Sequence, residues 1–204
     1  MREYVNRILV LFAHPALEKS RVNQVLVSGI EGLQGVMIQD LYEAYPEFDI
    51  DVRREQELLE AHDIIVMHHP FFWYSTPAIL KQWQDLVLEH GWAYGRQGTA
   101  LRGKRMLSVI TTGGREVAYQ REGYNRFTMR ELLAPIEQTA RLCGIEYLPP
   151  FVVHGTHGMT RKEMEAHARD YRMTLEALRD GRLDLEVAGQ YARLNAALDA
   201  VVKS

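Results

Sequence analysis

A single cysteine, Cys143, stands in the 204 residues, so no internal disulfide can form and a reducing compartment is expected. It lies among apolar residues of a predicted helix, where a small core residue belongs. No run approaches the roughly 20 apolar residues of a membrane-spanning helix. The first apolar run, Ile8 to Ala13, follows directly on Met1–Arg7. It is too short for the core of a secretion signal, and no cleavage site follows it. Neither sign of charge dominates: 24 Lys and Arg against 27 Asp and Glu leave a formal net charge of −3. That balance carries no electrostatic footprint for nucleic acid or an anionic membrane. Internal repeats and low-complexity segments are lacking too. A cytoplasmic protein is therefore expected. What is present is ordinary, 47% hydrophobic and 25% charged residues, as in globular chains. The length suits one domain, whose core needs neither disulfide nor metal.

Strand-like and helix-like runs alternate along the chain. Ile8 to Phe12 is continuously apolar, as a strand buried on both faces should be. Val36 to Leu41, Ile64 to Met67, Met106 to Ile110 and Tyr147 to Val153 supply four more candidates. Between them, Thr76-Pro77 places a capping hydroxyl before a proline at the first helical position. Ile79, Leu80, Trp83, Leu86 and Val87 then recur at helical spacing. Thr128 to Glu131 has capping-box form and opens a helix through Leu132, Leu133, Ile136, Ala140 and Cys143. Thr160 to Glu163 repeats the device before Met164, Ala168, Tyr171, Leu175 and Leu178, and Asp51 to Ala61 reads as a further helix. The fold class is thus α/β: a doubly wound five-stranded parallel sheet with helices on both faces. Gly181 ends the last of these helices and divides residues 1–180 from a C-terminal extension, 181–204. In the extension, Ala188, Tyr191, Leu194, Leu198 and Val201 form an amphipathic helical stripe.

Ligands of such sheets sit at the carboxyl ends of the strands, near the point where strand order reverses. Three loops qualify, after Ala13, after His68 and after Thr111. The first runs His14-Pro15 to Ser20-Arg21-Val22-Asn23 and has neither the dinucleotide glycines nor a Walker lysine. Ser20 sits where a helix beginning near Arg21 needs a cap, and a helix N-terminus is a ready anion site. Ser20 adds a hydroxyl, Arg21 a charge and His14 an imidazole N–H, a set that suits a phosphate monoester. A capped helix and a turn histidine is the plainer alternative. The second loop, His69-Pro70-Phe71-Phe72-Trp73-Tyr74, sets four aromatics in a row where a loop should be polar. A flat apolar ligand explains them, with Trp73 nearest its ring; core filling or a subunit contact explains some of them as well. In the third loop, Thr111-Thr112-Gly113-Gly114, two hydroxyls precede two glycines that allow close backbone approach. Tyr119 and Tyr124 lie just beyond, where a phenol can line a pocket. His68-His69 and His154-x-x-His157 lack the further ligands of a metal site and read as strand-end or surface residues.

Together these residues resemble the flavodoxin-like NAD(P)H:quinone oxidoreductases. The likeness is strongest to the small bacterial ancillary proteins of the glutathione-gated potassium efflux (Kef) systems. It rests on Ala13-His14-Pro15 with Ser20 and Asn23, Pro70-x-x-Trp73-Tyr74, Pro77-Ala-x-Leu80-Lys81 and Thr111-Thr112-Gly113-Gly114. Leu41-Tyr42, Tyr45-Pro46, Asp51 to Gln56, His90 to Ala93 and Leu148-Pro149-Pro150 add to it, over residues 7–180. The resemblance implies FMN, with FAD used by longer relatives, and NAD(P)H as a transient co-substrate with a quinone as acceptor. It implies that His14, Ser20, Arg21, Val22 and Asn23 hold the flavin phosphate. Pro70, Phe71, Phe72, Trp73 and Tyr74 would pass along the isoalloxazine, and Thr111 to Gly114 would bond its edge. Tyr119 stands where larger relatives have an active-site tyrosine, while Tyr124 and Asn125 occupy the stretch where those relatives carry a histidine. A homodimer is implied as well. So is a partner, a Kef-type membrane protein that such a subunit would activate and that would bring it to the inner membrane.

Overall fold

The computed structural model describes residues 5–203. The first and last residues of the two predicted units, 1–4 and 204, lie outside the described residues. A parallel sheet runs in the order β2-β1-β3-β4-β5, with β6 also paired to β4. Its strands are β1 (Ile8–Phe12), β2 (Val36–Asp40), β3 (Ile64–Pro70), β4 (Arg105–Thr111), β5 (Glu146–Tyr147) and β6 (Phe151–Val153). Every residue of β1 and β3 is buried, because both lie inside the sheet with helices on each face. Alternate residues face opposite ways. Ile8, Val10 and Phe12 join one core cluster with α1 (Arg21–Ser28) and α7 (Arg161–Arg179). Leu9, Leu11 and Ala13 join the other, with α3 (Val52–Ala61), α4 (Ala78–Val87) and α6 (Ala134–Leu142).

Several expected elements differ in detail, each for a local reason. The fifth strand is two pieces, since Pro149 and Pro150 offer no N–H to the ladder. Strand β2 stops one residue early, where the Asp40 carboxylate accepts from the amides of Tyr42 and Glu43 and starts the short helix α2 (Leu41–Ala44). Thr76 does not cap α4: Pro77 is the N-cap, and the buried Thr76 hydroxyl has no partner. The helix expected from Thr128 through Cys143 breaks at Leu133 into α5 (Met129–Leu132) and α6, because Pro135 lacks the N–H that would continue it. Both capping boxes, Thr128 with Glu131 and Thr160 with Glu163, are formed.

The stripe after Gly181 is not one helix. It forms α8 (Leu185–Ala188), a 3₁₀ turn at Leu194–Ala196 and α9 (Leu198–Val201). Ala188, Leu194, Leu198 and Val201 are nevertheless buried in the α1/α7 cluster. Helical spacing thus marked the buried positions, although α8 ends at Ala188 and the chain turns before Leu194. Among the described residues no helix is long and apolar enough to cross a membrane.

One polar group organises the opposite face. Glu55 is fully buried. Its carboxyl accepts from Gln39 Nε2 at 2.7 Å, Tyr45 Oη at 2.7 Å and Trp83 Nε1 at 2.8 Å. It therefore ties β2, the turn after α2 and α4 to α3. Glu55→Gln sets an N–H₂ against one of these donors, leaving buried groups unsatisfied. It should cost about 1–3 kcal/mol in urea unfolding, and unchanged stability would show that the cluster is slack.

Candidate functional site

The loop after β1 is shaped by a helix start. Ser20 is the N-cap of α1, whose first turn holds no acidic residue. Its Oγ accepts from the Asn23 amide at 3.4 Å and from Asn23 Nδ2 at 2.8 Å. With both lone pairs engaged, the Ser20 hydroxyl hydrogen is left to point outward. The amides of Arg21 and Val22 lie in the first turn, with no helical carbonyl four residues before them to accept, and have no partner within the helix. His14 Nδ1 accepts from the Ala16 amide at 3.1 Å, which puts the imidazole proton on Nε2. Burial lowers the His14 pKa, favouring this neutral tautomer. Arg21 reaches the Met159 carbonyl at 3.4 Å, so its guanidinium lies between α1 and the start of α7.

Asn23 joins this loop to the strands beside it. Its side chain is buried, and Thr111 Oγ1 lies 3.0 Å from Nδ2 and 3.2 Å from Oδ1. His68 Nε2 is 3.2 Å from Oδ1, and since that oxygen only accepts, the proton is on Nε2. His68 and His69 are not surface residues: β3 runs two residues past His68, and both side chains are fully buried. His69 Nδ1 donates to the Pro70 carbonyl at 3.0 Å. Burial holds His68 down at a pKa of about 3 and His69 at about 4.

The aromatic loop therefore starts at Phe71, whose amide bonds to the Thr111 carbonyl at 2.8 Å. Phe72 to Ser75 is a tight turn closed by Ser75 N–H to Phe72 C=O, 2.9 Å. Its central residues have positive φ, 49° at Trp73 and 62° at Tyr74. For bulky side chains that conformation is strained, and such strain gathers at binding sites. Trp73 is 94% exposed, held out at the rim of the cleft.

Gly113 and Gly114 are needed for room and not for positive φ. A Cβ on Gly113 would lie 2.2 Å from His157 Nε2, and one on Gly114 2.8 Å from Tyr119 Cε2. The Tyr119 hydroxyl is 2.6 Å from Thr112 Oγ1.

These loops enclose a cleft of about 610 Å³, within the range of small-molecule sites. His14, Ser20, Arg21, Val22 and Asn23 line one end; Pro70, Phe71, Phe72, Trp73, Thr111, Thr112 and Gly113 line the rest. Tyr74, Gly114 and Tyr119 instead line an adjoining hollow of about 340 Å³ with Phe71, Trp73, Tyr124 and Asn125. Tyr74 Oη donates to Asn125 Oδ1 there at 3.2 Å. Lys19, Thr156 and His157 also line the main cleft and were not expected. The rule that singled out three strand ends applies equally to a fourth, the loop after β6, and would have found Thr156 and His157. Among the described residues no group of three or more His, Cys, Asp or Glu is set to hold a metal ion.

A family model described as a flavodoxin-like fold matches residues 6–175. The chain is 44% identical over 168 residues to the glutathione-regulated potassium-efflux system ancillary protein KefF of Enterobacter sp. (strain 638), covering 82% of this chain and 94% of that one. It is 38% identical to general stress protein 14 of Treponema denticola, solved in complex with FMN, with a TM-score of 0.81 over 84% of this chain and 99% of that chain. An NADPH-quinone reductase from P. pentosaceus is 32% identical, with a TM-score of 0.76 over 82% and 96% of the two chains.

The two buried histidines make an acid-sensitivity prediction. Unfolded, each takes up a proton as pH falls through about 6.5; folded, each resists until about 3 or 4. The unfolded state then binds more protons, so stability falls as pH drops below 6.5. The expected loss is about 2 kcal/mol per histidine between pH 7 and pH 5. Urea unfolding at the two pH values measures it, and His68→Gln should flatten the slope.

Proposed function

The chain belongs to the family of flavodoxin-like fold, and within it we propose a flavin-dependent NAD(P)H:quinone oxidoreductase that holds FMN in the cleft at the strand ends. The observation that carries this reading is the convergence of a free-donor helix start, an aromatic turn and the Thr111-Thr112-Gly113 edge on one cleft. The donor set fits the group. At one end are an outward Ser20 hydroxyl, unpartnered helical amides and the His14 N–H, with Lys19 and Arg21 beside them, as a phosphate dianion requires. Along the rest of the cleft, Thr111, Thr112 and Gly113 set hydroxyls and backbone where a ring edge would lie. The FMN-bound Treponema relative supports FMN, and the P. pentosaceus relative supports a quinone acceptor and NADPH.

FMN held there would supply two-electron hydride chemistry between NAD(P)H and a quinone. The residues of this chain bind, orient and shield. Ser20, the Arg21 and Val22 amides and His14 take the phosphate, and Asn23 keeps Ser20 turned toward it. Phe71 and Phe72 line the flat part of the cleft, while Trp73 and Tyr74 stand at its open side, where the two substrates visit in turn. The Thr111 to Gly114 segment offers hydrogen bonds along the edge. Tyr119, hydrogen-bonded to Thr112 Oγ1, is the proposed catalytic residue that holds or moves a proton there. Trp73, Tyr74 and Tyr124 are exposed aromatics around the adjoining hollow, which supports a homodimer joined beside the site.

The purified chain should be yellow or become so with FMN, and should oxidise NADPH when menadione is present. Ser20→Ala should weaken FMN binding about tenfold. Trp73→Gly relieves the positive φ, so it should raise stability by up to about 1 kcal/mol while lowering activity. A chain that takes up no FMN would sink this reading.

A second reading is favoured by the likeness to KefF: a regulatory subunit that binds and activates a Kef-type potassium efflux protein, with flavin as a redox or structural element. The two readings are compatible. Co-expression with such a membrane protein should give a complex that survives detergent purification; a chain absent from it counts against the partner.

A further inference from the structure

We propose that Arg193 is a positioning residue for the site, holding the loop that carries Tyr119 in place from a segment outside the shared fold. The proposal rests on the reading of Tyr119 given above. The family model ends at residue 175, and the KefF alignment covers 94% of that protein but only 82% of this chain. The segment after α7 lies beyond the residues that the family model matches.

It is built as a closed strap. Its ends are tied by an antiparallel bridge between Leu183 and Val202 and by Lys203 N–H to Arg182 C=O, 2.8 Å. Buried Leu194 seats it on the core, and the Leu194 amide bonds to the Pro150 carbonyl at 2.9 Å. Asn195 then imitates a neighbouring strand. Its Oδ1 accepts from Val152 N–H at 3.0 Å, and its Nδ2 donates to Val152 C=O at 2.8 Å. The open edge of β6 is covered by one side-chain amide.

Arg193, next in line, reaches across to the loop after β4. Its Nη2 is 2.8 Å from both carboxylate oxygens of Glu116. Glu116 opens the 3₁₀ turn Glu116–Ala118, and its carbonyl accepts from the Tyr119 amide at 2.9 Å. No residue from 115 to 128 is buried, so this loop has little core of its own to fix it. A partly exposed ion pair contributes little to a whole domain. Of the side-chain ties on this loop, Tyr119 to Thr112, Tyr74 to Asn125 and Arg121 to Glu131 hold its later part, and Arg193 holds its start at Glu116.

Amide hydrogen exchange on the flavin-free chain tests the proposal without relying on activity. Arg193→Ala should speed exchange of the amides in 116–125 about three- to fivefold and leave those of β1 unchanged. Glu116→Ala should do the same, and the double variant should add nothing further. Asn195→Ala separates a merely structural strap, lowering stability without that local signature. In the flavin-loaded enzyme, Arg193→Ala should raise KM for menadione with FMN affinity unchanged, and Arg193→Lys should restore part of it. Exchange in 116–125 equal to that of the parent chain, or faster exchange spread evenly over the molecule, would overturn the assignment. A chain inactive toward quinones but showing the local exchange change would sink the enzymatic reading while leaving the strap's hold on the loop established.

Discussion

The buried amide of Asn23 is where the helix start, β3 and β4 meet. One side chain touches Ser20, Thr111 and His68 within 2.8–3.2 Å. Because it is buried, each of those contacts has to be kept or a polar group is left unsatisfied. The geometry of the Ser20 hydroxyl, and with it the end of the cleft where we propose the phosphate sits, depends on this bracket. The neutral His68 behind it is the same requirement seen from the strand side: a charged imidazole there would have no counter-ion.

The other walls of the cleft are made by space and strain. Gly113 and Gly114 yield volume to His157 and Tyr119. Trp73 and Tyr74 pay with left-handed backbone to stand at the rim. A turn of this kind between two aromatics persists only where its flanks hold it, here through Phe71 on β4 and the Ser75 to Phe72 bond. The loop beyond Gly114 buries none of residues 115–128 and is held by side-chain ties, Arg193 on Glu116, Tyr119 on Thr112, Tyr74 on Asn125 and Arg121 on Glu131.

Much of this was legible in the sequence where the signal is local or periodic. Continuous apolar runs named the inner strands, capping boxes named the starts of α5 and α7, and the strand-end rule found the three loops. Prolines were the recurrent source of error. Pro135 broke a periodic helix, Pro149 and Pro150 split a strand, and Pro77 displaced Thr76 as a cap. A histidine pair before a proline reads as a strand end, while His68 in fact lies between β1 and β4 and β3 continues along β4 to Pro70.

The sequence by itself determined the alternating layers, the strand-end loops and the chemistry each offers, because these follow from residue type and spacing along one segment. Only the tertiary structure decided that Asn23 would bracket three elements, that His157 would lie over Gly113, and that a strap from beyond residue 181 would hold Glu116. Those contacts join residues 88, 44 and 77 positions apart for Asn23–Thr111, Gly113–His157 and Glu116–Arg193. No local propensity encodes such distances, and only the packing of the sheet and its helices brings these residues into contact.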